Sequence, residues 1–266
     1  MEAKMQEVTQ HAPGNFCWVE LSTSDAAAAK KFYTTLFGWA ADDEQVAPDY
    51  VYTKWQINGK DVGAMFQLNE EMKAQGIPPH WGLYVAVANV DETAKQVTAL
   101  GGQLIMGPFD AMDAGRMAIL QDPNGAVIKV WQAKKNIGIQ LINQPHTLCW
   151  GELATTNAET SGAFFTKLFG WTTKAGDVDG FTYTEFINAG VPIGGMMQMT
   201  AEWGNIPSHW MPYFSVEDCD GIANKAKSLG ASFKVPPSDI PNTGRFAVIQ
   251  DPQGAVFSII KLTHAM

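Results

Sequence analysis

A chain of 266 residues with 46% apolar and 17% charged side chains has room for two ordinary domains, each with its own core, and is not composed like a disordered chain. A net charge of −9, with no stripe of Lys and Arg, argues against binding a nucleic-acid backbone. No apolar run approaches membrane-spanning length or resembles a signal peptide. Cys17, Cys149 and Cys219 are scattered, with no CxxC pair, as in proteins of a reducing compartment. The expectation is a cytoplasmic protein with neither nucleic acid nor membrane as partner.

Residues 1–15 read as an irregular lead-in ending at Pro13-Gly14. From Cys17 to Thr23 the chain alternates as a half-buried strand, with Cys17, Val19 and Leu21 on one face and Trp18, Glu20 and Ser22 on the other. Asp25 is placed to cap a helix whose apolar stripe is Ala29, Phe32, Tyr33, Leu36 and Phe37, and Gly38 stops it. If a short strand follows Gly38, the runs Tyr50 to Ile57 and Val62 to Leu68, joined by Asn58-Gly59, complete a βαβββ unit. Beyond Pro78-Pro79, Trp81 to Val87 reads as a strand and Val90 to Leu100 as a helix closed by Gly101-Gly102. Arg116 to Gln121 and Ala126 to Trp131 form a hairpin around Asp122-Pro123-Asn124-Gly125.

The pattern then returns. FYTTLFGW recurs as FFTKLFGW, IPPHW as IPSHW, and GRMAILQDPNGAV as GRFAVIQDPQGAV. Phe37 matches Phe169 at an offset of 132, and His80 matches His209 at 129, so the second copy is slightly shorter in its middle loops. A period this long and this well kept is a tandem duplication. The prediction is an α+β chain of four βαβββ units in two domains, residues 16–137 and 138–266, with pairing of units creating concave clefts.

The strings CWVELSTSD, FYTTLFGW, HWGLYVAV and GRMAILQDPNGAV, with their second-half partners, resemble the vicinal oxygen chelate superfamily of glyoxalases, bleomycin-resistance proteins and extradiol dioxygenases. The resemblance covers nearly the whole chain and looks closest to tandem-domain, glyoxalase-like members. It implies the fold and a cleft for a small molecule, but no single reaction. In metal-using members the ligands are His, Gln or Glu on the first and last strands of each unit. Carried onto this chain, those positions fall on Trp18, Ala64, Gly82 and Lys129, and on Trp150, Gly195, Met211 and Ser258. None is a usual ligand for a divalent cation. The resemblance therefore implies a member without the usual metal centre, and no cofactor is expected.

Glu20 and Glu152 share a strand face with Trp18 and Trp150, the face that the resemblance turns into the cleft. A carboxylate there needs a partner: it serves as a general base or ligand anchor, or it forms a structural ion pair with Arg116, Lys129 or Arg245. His80 and His209, at matching points after a proline-containing turn, are acid-base or ligand candidates, or fix the turn through their ring nitrogens. His146, His209 and Glu152 are weighed as a relocated metal site in the second half. Tyr84, Trp131, Lys129 and the two tryptophans Trp18 and Trp150 form the candidate ligand-binding set; as inward aromatics they are equally explained as core. Arg116 and Arg245 fit pairing with Asp110 and Asp239 across their hairpins. The leading expectation is a protein that binds a small, partly aromatic molecule, with catalysis undecided and a homodimer left open. The alternative is a glyoxalase- or dioxygenase-like enzyme using relocated metal ligands.

Overall fold

The structure is a computed structural model, and it describes residues 7–178 and 180–263; residues 1–6 of the lead-in lie outside it. In the first half, β1 (Phe16–Thr23) leads into α1 (Ala26–Phe37). The Asp25 side chain accepts the Ala28 N–H, and Gly38 closes the helix at φ 73°, a left-handed conformation that glycine adopts without a Cβ penalty. Then come β2 (Ala40–Ala47), β3 (Tyr50–Ile57), β4 (Lys60–Gln67), a short α2 (Glu70–Ala74) and β5 (His80–Ala86). α3 (Val90–Ala99), β6 (Gln103–Ala111), β7 (Gly115–Gln121) and β8 (Val127–Ala133) complete it.

The second half repeats the order. β9 (Leu148–Thr155), α4 (Ala158–Phe169), β10 (Thr172–Val178), β11 (Phe181–Asn188) and β12 (Val191–Gln198) form one unit. β13 (His209–Ser215), α5 (Cys219–Ser228), β14 (Ser232–Ile240), β15 (Gly244–Gln250) and β16 (Val256–Leu262) form the other.

Two features differ from the sequence expectation. The strand after Gly38 is as long as its neighbours, because β2 pairs with β3 from Ala40 to Ala47. Its sequence, AADDEQVA, hides it: the run is mostly exposed and charged, as suits a sheet edge that must not recruit another chain. The helix α2, capped by Asn69 and without a buried residue, has no apolar stripe to announce it.

Each half is one eight-stranded sheet, ordered β2-β3-β4-β1-β5-β8-β7-β6 and β10-β11-β12-β9-β13-β16-β15-β14. The units therefore pair within a half. Their seam is antiparallel, β1 with β5 and β9 with β13, flanked by the parallel pairs β1–β4, β5–β8, β9–β12 and β13–β16. One apolar cluster runs through both halves. Phe16 packs on Trp171 and Trp210 with ring centres 5.8 and 5.5 Å apart, while Trp81 meets Phe214 at 5.3 Å.

Two polar latches span that core. Tyr33 Oη donates to Asp251 Oδ2 at 2.8 Å, and Ser161 Oγ donates to Asp122 Oδ2 at 2.5 Å. Each aspartate also accepts backbone N–H groups of its own hairpin, from Asn124 and Ala126 or from Gln253 and Ala255. The DPxG hairpin of each half is thus shaped by the same carboxylate that holds the other half's helix. The start of the connecting segment is pinned to the first half: Ile139 N–H donates to the Cys17 carbonyl at 2.8 Å. A Cβ on Gly138 would stand 2.0 Å from that oxygen, so only glycine permits the approach.

Candidate functional site

The seam of the first half is built by alternation. β1 is buried from end to end, and its even residues Trp18 and Glu20 face the concave side. Cross-strand register sets Trp18 beside Tyr84 and Tyr84 beside Lys129, and sets Glu20 between Ala64 and Gly82. Over this surface lies a cavity of about 900 Å³, lined by Trp18, Glu20, Tyr52, Tyr84, Lys129 and Trp131 among others. The volume is within the range of small-molecule sites.

Glu20 is the hub of its floor. Oε1 accepts the Tyr52 hydroxyl at 2.8 Å; Oε2 accepts the Tyr84 hydroxyl at 2.8 Å and the Lys129 ammonium at 2.6 Å. Trp18 Nε1 donates to Tyr52 Oη at 2.9 Å and so orients that phenol. Both members of the ion pair are almost wholly buried. Burial drives the Glu20 carboxyl upward, but the charge of Lys129 and the three hydrogen bonds outweigh it and hold the group below its ordinary range. The Lys129 ammonium also lies 4.9 Å from the centre of the Tyr84 ring and 5.8 Å from that of Phe66. Its stem fits because Gly82 has no side chain: a Cβ there would meet Lys129 Cε at 3.3 Å.

The second half keeps the frame and changes the charge. Glu152 accepts the Tyr213 hydroxyl at 2.7 Å and the Tyr183 hydroxyl at 3.0 Å, and Trp150 Nε1 donates to Tyr183 Oη at 2.9 Å. Opposite Glu152 stands Met211 where the first half has Gly82, and beside Tyr213 stands Ser258 where it has Lys129. Ser258 Oγ lies 3.3 Å from Met211 Sδ. No cation contacts Glu152 among the described residues. Burial therefore dominates and raises its carboxyl above the usual value, against the two tyrosine hydrogen bonds.

Of the partners considered for these carboxylates, the structure selects Lys129 for Glu20 and rejects the arginines. Arg116 binds Asp91 through Nε at 2.7 Å and Asp110 through Nη1 at 3.2 Å. Arg245 does the same with Asp220 and Asp239. Both arginines sit on the far strands β7 and β15, whose paired aspartates lie on the neighbouring strand and at the start of the helix. His80 and His209 fix their turns, with Nδ1 on the carbonyls of Pro78 and Pro207 at 2.9 and 2.8 Å. His80 does not line the cavity, and burial holds its imidazole below the usual value.

The relocated metal site does not assemble. The His146 ring packs 5.5 Å from Phe37 of the first half, while His209 lies beside Trp203. Among the described residues no three His, Cys, Asp or Glu side chains stand together to hold a metal. The floor that Trp18, Ala64, Gly82 and Lys129 form offers a divalent cation an ammonium, an indole and no second anionic ligand. That donor set does not fit the metal centre of metal-using relatives.

Sequence reasoning missed Tyr52 and Tyr183, which reach the carboxylates from the third strand of their sheets. A signal was present. Both tyrosines occupy the same place in the repeat, and each is followed two residues on by a charged side chain, Lys54 or Glu185, on the same strand face.

Comparisons agree with this architecture. The family model described as "Glyoxalase/Bleomycin resistance protein/Dioxygenase superfamily" matches twice, over residues 16–130 and 143–259. The chain is 40% identical over 259 residues to the Mycobacterium tuberculosis protein named "Putative glyoxylase CFP32", covering 97% of this chain and 98% of that one. It is 32% identical over 265 residues to the "Anthracycline biosynthesis protein DnrV" of Streptomyces peucetius, covering 96% of each. Among solved structures, the Mn(II)-bound glyoxalase from Novosphingobium aromaticivorans superposes with a TM-score of 0.64 over 96% of this chain and 86% of that one; at 16% identity the likeness is one of fold. With two matches that together span most of its length, one for each eight-stranded half, the chain belongs to the glyoxalase/bleomycin resistance protein/dioxygenase superfamily.

Proposed function

We propose that this chain binds a small, partly aromatic molecule in the cleft of its first half, by direct contact with side chains rather than through a metal ion. The observation that carries the reading is the cavity of about 900 Å³ whose wall includes Trp18, Phe66 and Trp131 and whose floor is the Glu20–Lys129 pair. Apolar walls with a few convergent polar groups are the usual make-up of such sites. Aromatic side chains favour a planar partner, by stacking or edge contact. Relatives named for anthracycline biosynthesis support a small-molecule ligand.

In this reading the floor is set before the ligand arrives. Trp18, Tyr52 and Tyr84 hold Glu20, which in turn holds Lys129, so binding pays little to order them. The second half contributes the other wall of the shared core. Met211 stands opposite Glu152, whose carboxyl has no counter-ion among the described residues.

The test is a titration of the purified chain with fused aromatic compounds by calorimetry, alongside metal analysis of protein prepared without chelator. Saturable binding by metal-free protein is the expected result. Stoichiometric manganese, iron, nickel or zinc whose removal abolishes binding would overturn the metal-free reading.

A further inference from the structure

A count of donors and acceptors on the cleft floor narrows the ligand. A carboxylate oxygen accepts about two hydrogen bonds and an ammonium donates three. Glu20 Oε2 is filled by Tyr84 and Lys129, whereas Oε1 has only Tyr52 and keeps an open site. Lys129 Nζ has a single hydrogen-bond acceptor among the described residues, Glu20 Oε2; its remaining N–H groups face aromatic rings and the cavity. The floor therefore offers one strong donor and one strong acceptor, side by side.

The charges of Glu20 and Lys129 cancel, so the floor gives no net attraction to an anion or to a cation. An incoming carboxylate meets Glu20, and an incoming amine meets Lys129. A neutral ligand whose edge carries an acceptor next to a donor satisfies both groups at once.

The other end of the cleft mixes exposed apolar side chains with the charged Asp110, Asp113 and Lys135. Met106, Phe109 and Met112 are 48%, 38% and 60% exposed and line the cavity. Large apolar side chains left this open beside a cavity are covered when an apolar body occupies it. β14, the strand matching β6, has no comparably exposed large apolar residue.

We propose that the first cleft recognises a neutral fused-ring aromatic that carries a carbonyl oxygen beside a hydroxyl or N–H donor on one edge. The carbonyl accepts from Lys129, the donor gives to Glu20 Oε1, and the rings run outward to Met106, Phe109 and Met112. This rests on the aromatic-binding reading above. Lys129 is the residue that sets the preference, and Gly82 is the residue that makes room for it.

A matched set of bicyclic probes tests this on the whole chain by calorimetry: 2-quinolinone has adjacent C=O and N–H, N-methyl-2-quinolinone has the acceptor alone, and naphthalene has neither. The wild type is expected to bind 2-quinolinone at least about tenfold more tightly than either other probe, since one hydrogen bond to a charged group is worth at least that factor. In Lys129→Met the carbonyl loses its donor while the N–H still reaches Glu20, so the advantage of 2-quinolinone over naphthalene is expected to fall by at least about tenfold. Because that change strands Glu20, the double variant Gly82→Met/Lys129→Ser is measured beside it; it writes into the first half the Met211–Ser258 pair that the second half already accommodates. Equal wild-type affinities for all three probes would overturn this inference and leave aromatic binding standing. An advantage over naphthalene that persists undiminished in both variants would overturn the assignment to Lys129. Failure of every probe to bind would overturn the aromatic reading itself.

Discussion

The two halves share a carboxylate, a Trp–Tyr relay and a second tyrosine, yet they push the carboxyl in opposite directions. Glu20 has an ammonium at 2.6 Å, which favours its ionised form; Glu152 has only phenols among the described residues, and burial favours its neutral acid. Two exchanges separate them. Gly82 with Lys129 in one half becomes Met211 with Ser258 in the other, and the methionine occupies the neighbourhood that the lysine stem requires. The lesson is that charge in a buried cleft is decided by a pair of positions. A lysine without the glycine has no room, and a glycine without the lysine leaves a void.

Breaking the pair gives the largest expected effect. Lys129→Met leaves a buried carboxylate without its counter-charge and is expected to cost about 3–5 kcal/mol in urea unfolding. Gly82→Met/Lys129→Ser is expected to recover most of that loss, because Glu152 survives in the same surroundings. If the double variant is no more stable than the single one, the two floors are not interchangeable.

The latches between halves come next. Tyr33→Phe strands Asp251 and also removes the acceptor of Trp81 Nε1, which lies 3.0 Å from Tyr33 Oη. A loss of about 1–3 kcal/mol follows for unsatisfied buried groups, read as a lower thermal midpoint. The second half already lives with part of this defect: Phe165 stands where Tyr33 does, and Trp210 Nε1 is buried without a partner among the described residues. A Tyr33→Phe protein as stable as wild type would show that the latch is not under load.

The two carboxylates predict opposite pH dependence. The Glu20 value is lowered on folding, so its stabilisation is complete above the ordinary glutamate pKa of about 4.3 and is lost as pH falls through the folded value. The Glu152 value is raised. Above about pH 4.3 the unfolded chain gives up that proton first, so stability declines with rising pH until the folded group also ionises. Glu152→Gln is expected to flatten that decline, and Glu20→Gln to flatten the acid-side loss. Stability measured by chemical unfolding from pH 2 to pH 8 separates them; identical profiles for both variants would contradict the opposite directions of the two shifts.

The smallest effect belongs to the exposed arginine forks. Arg245→Gln removes contacts to Asp220 and Asp239, and its shift in stability is expected to be the least of the series and to vanish with added salt.

Much of the fold was readable in the chain. The caps Asp25 and Gly38, the Asn58-Gly59 turn and the Asp122 hairpin each mark an element end by local chemistry. β2 was legible only as a short conditional strand, because an exposed, acidic edge strand shows no apolar alternation. The site was half legible. Trp18, Glu20, Tyr84, Lys129 and Trp131 all line the first cavity, because alternation along β1 and β5 fixes the face each residue takes. Tyr52 escaped because its role depends on reaching across β4 and β1, and strand order in a sheet is not a local property.

The sequence alone determined the duplication, the four βαβββ units and the face on which both carboxylates lie, since periodicity and turn chemistry act over a few residues at a time. Tertiary structure decided which carboxylate receives a cation. Lys129 lies 109 residues from Glu20 in the chain. It comes within 2.6 Å because β8 runs parallel to β5, β5 runs antiparallel to β1, and Gly82 leaves the gap between them open.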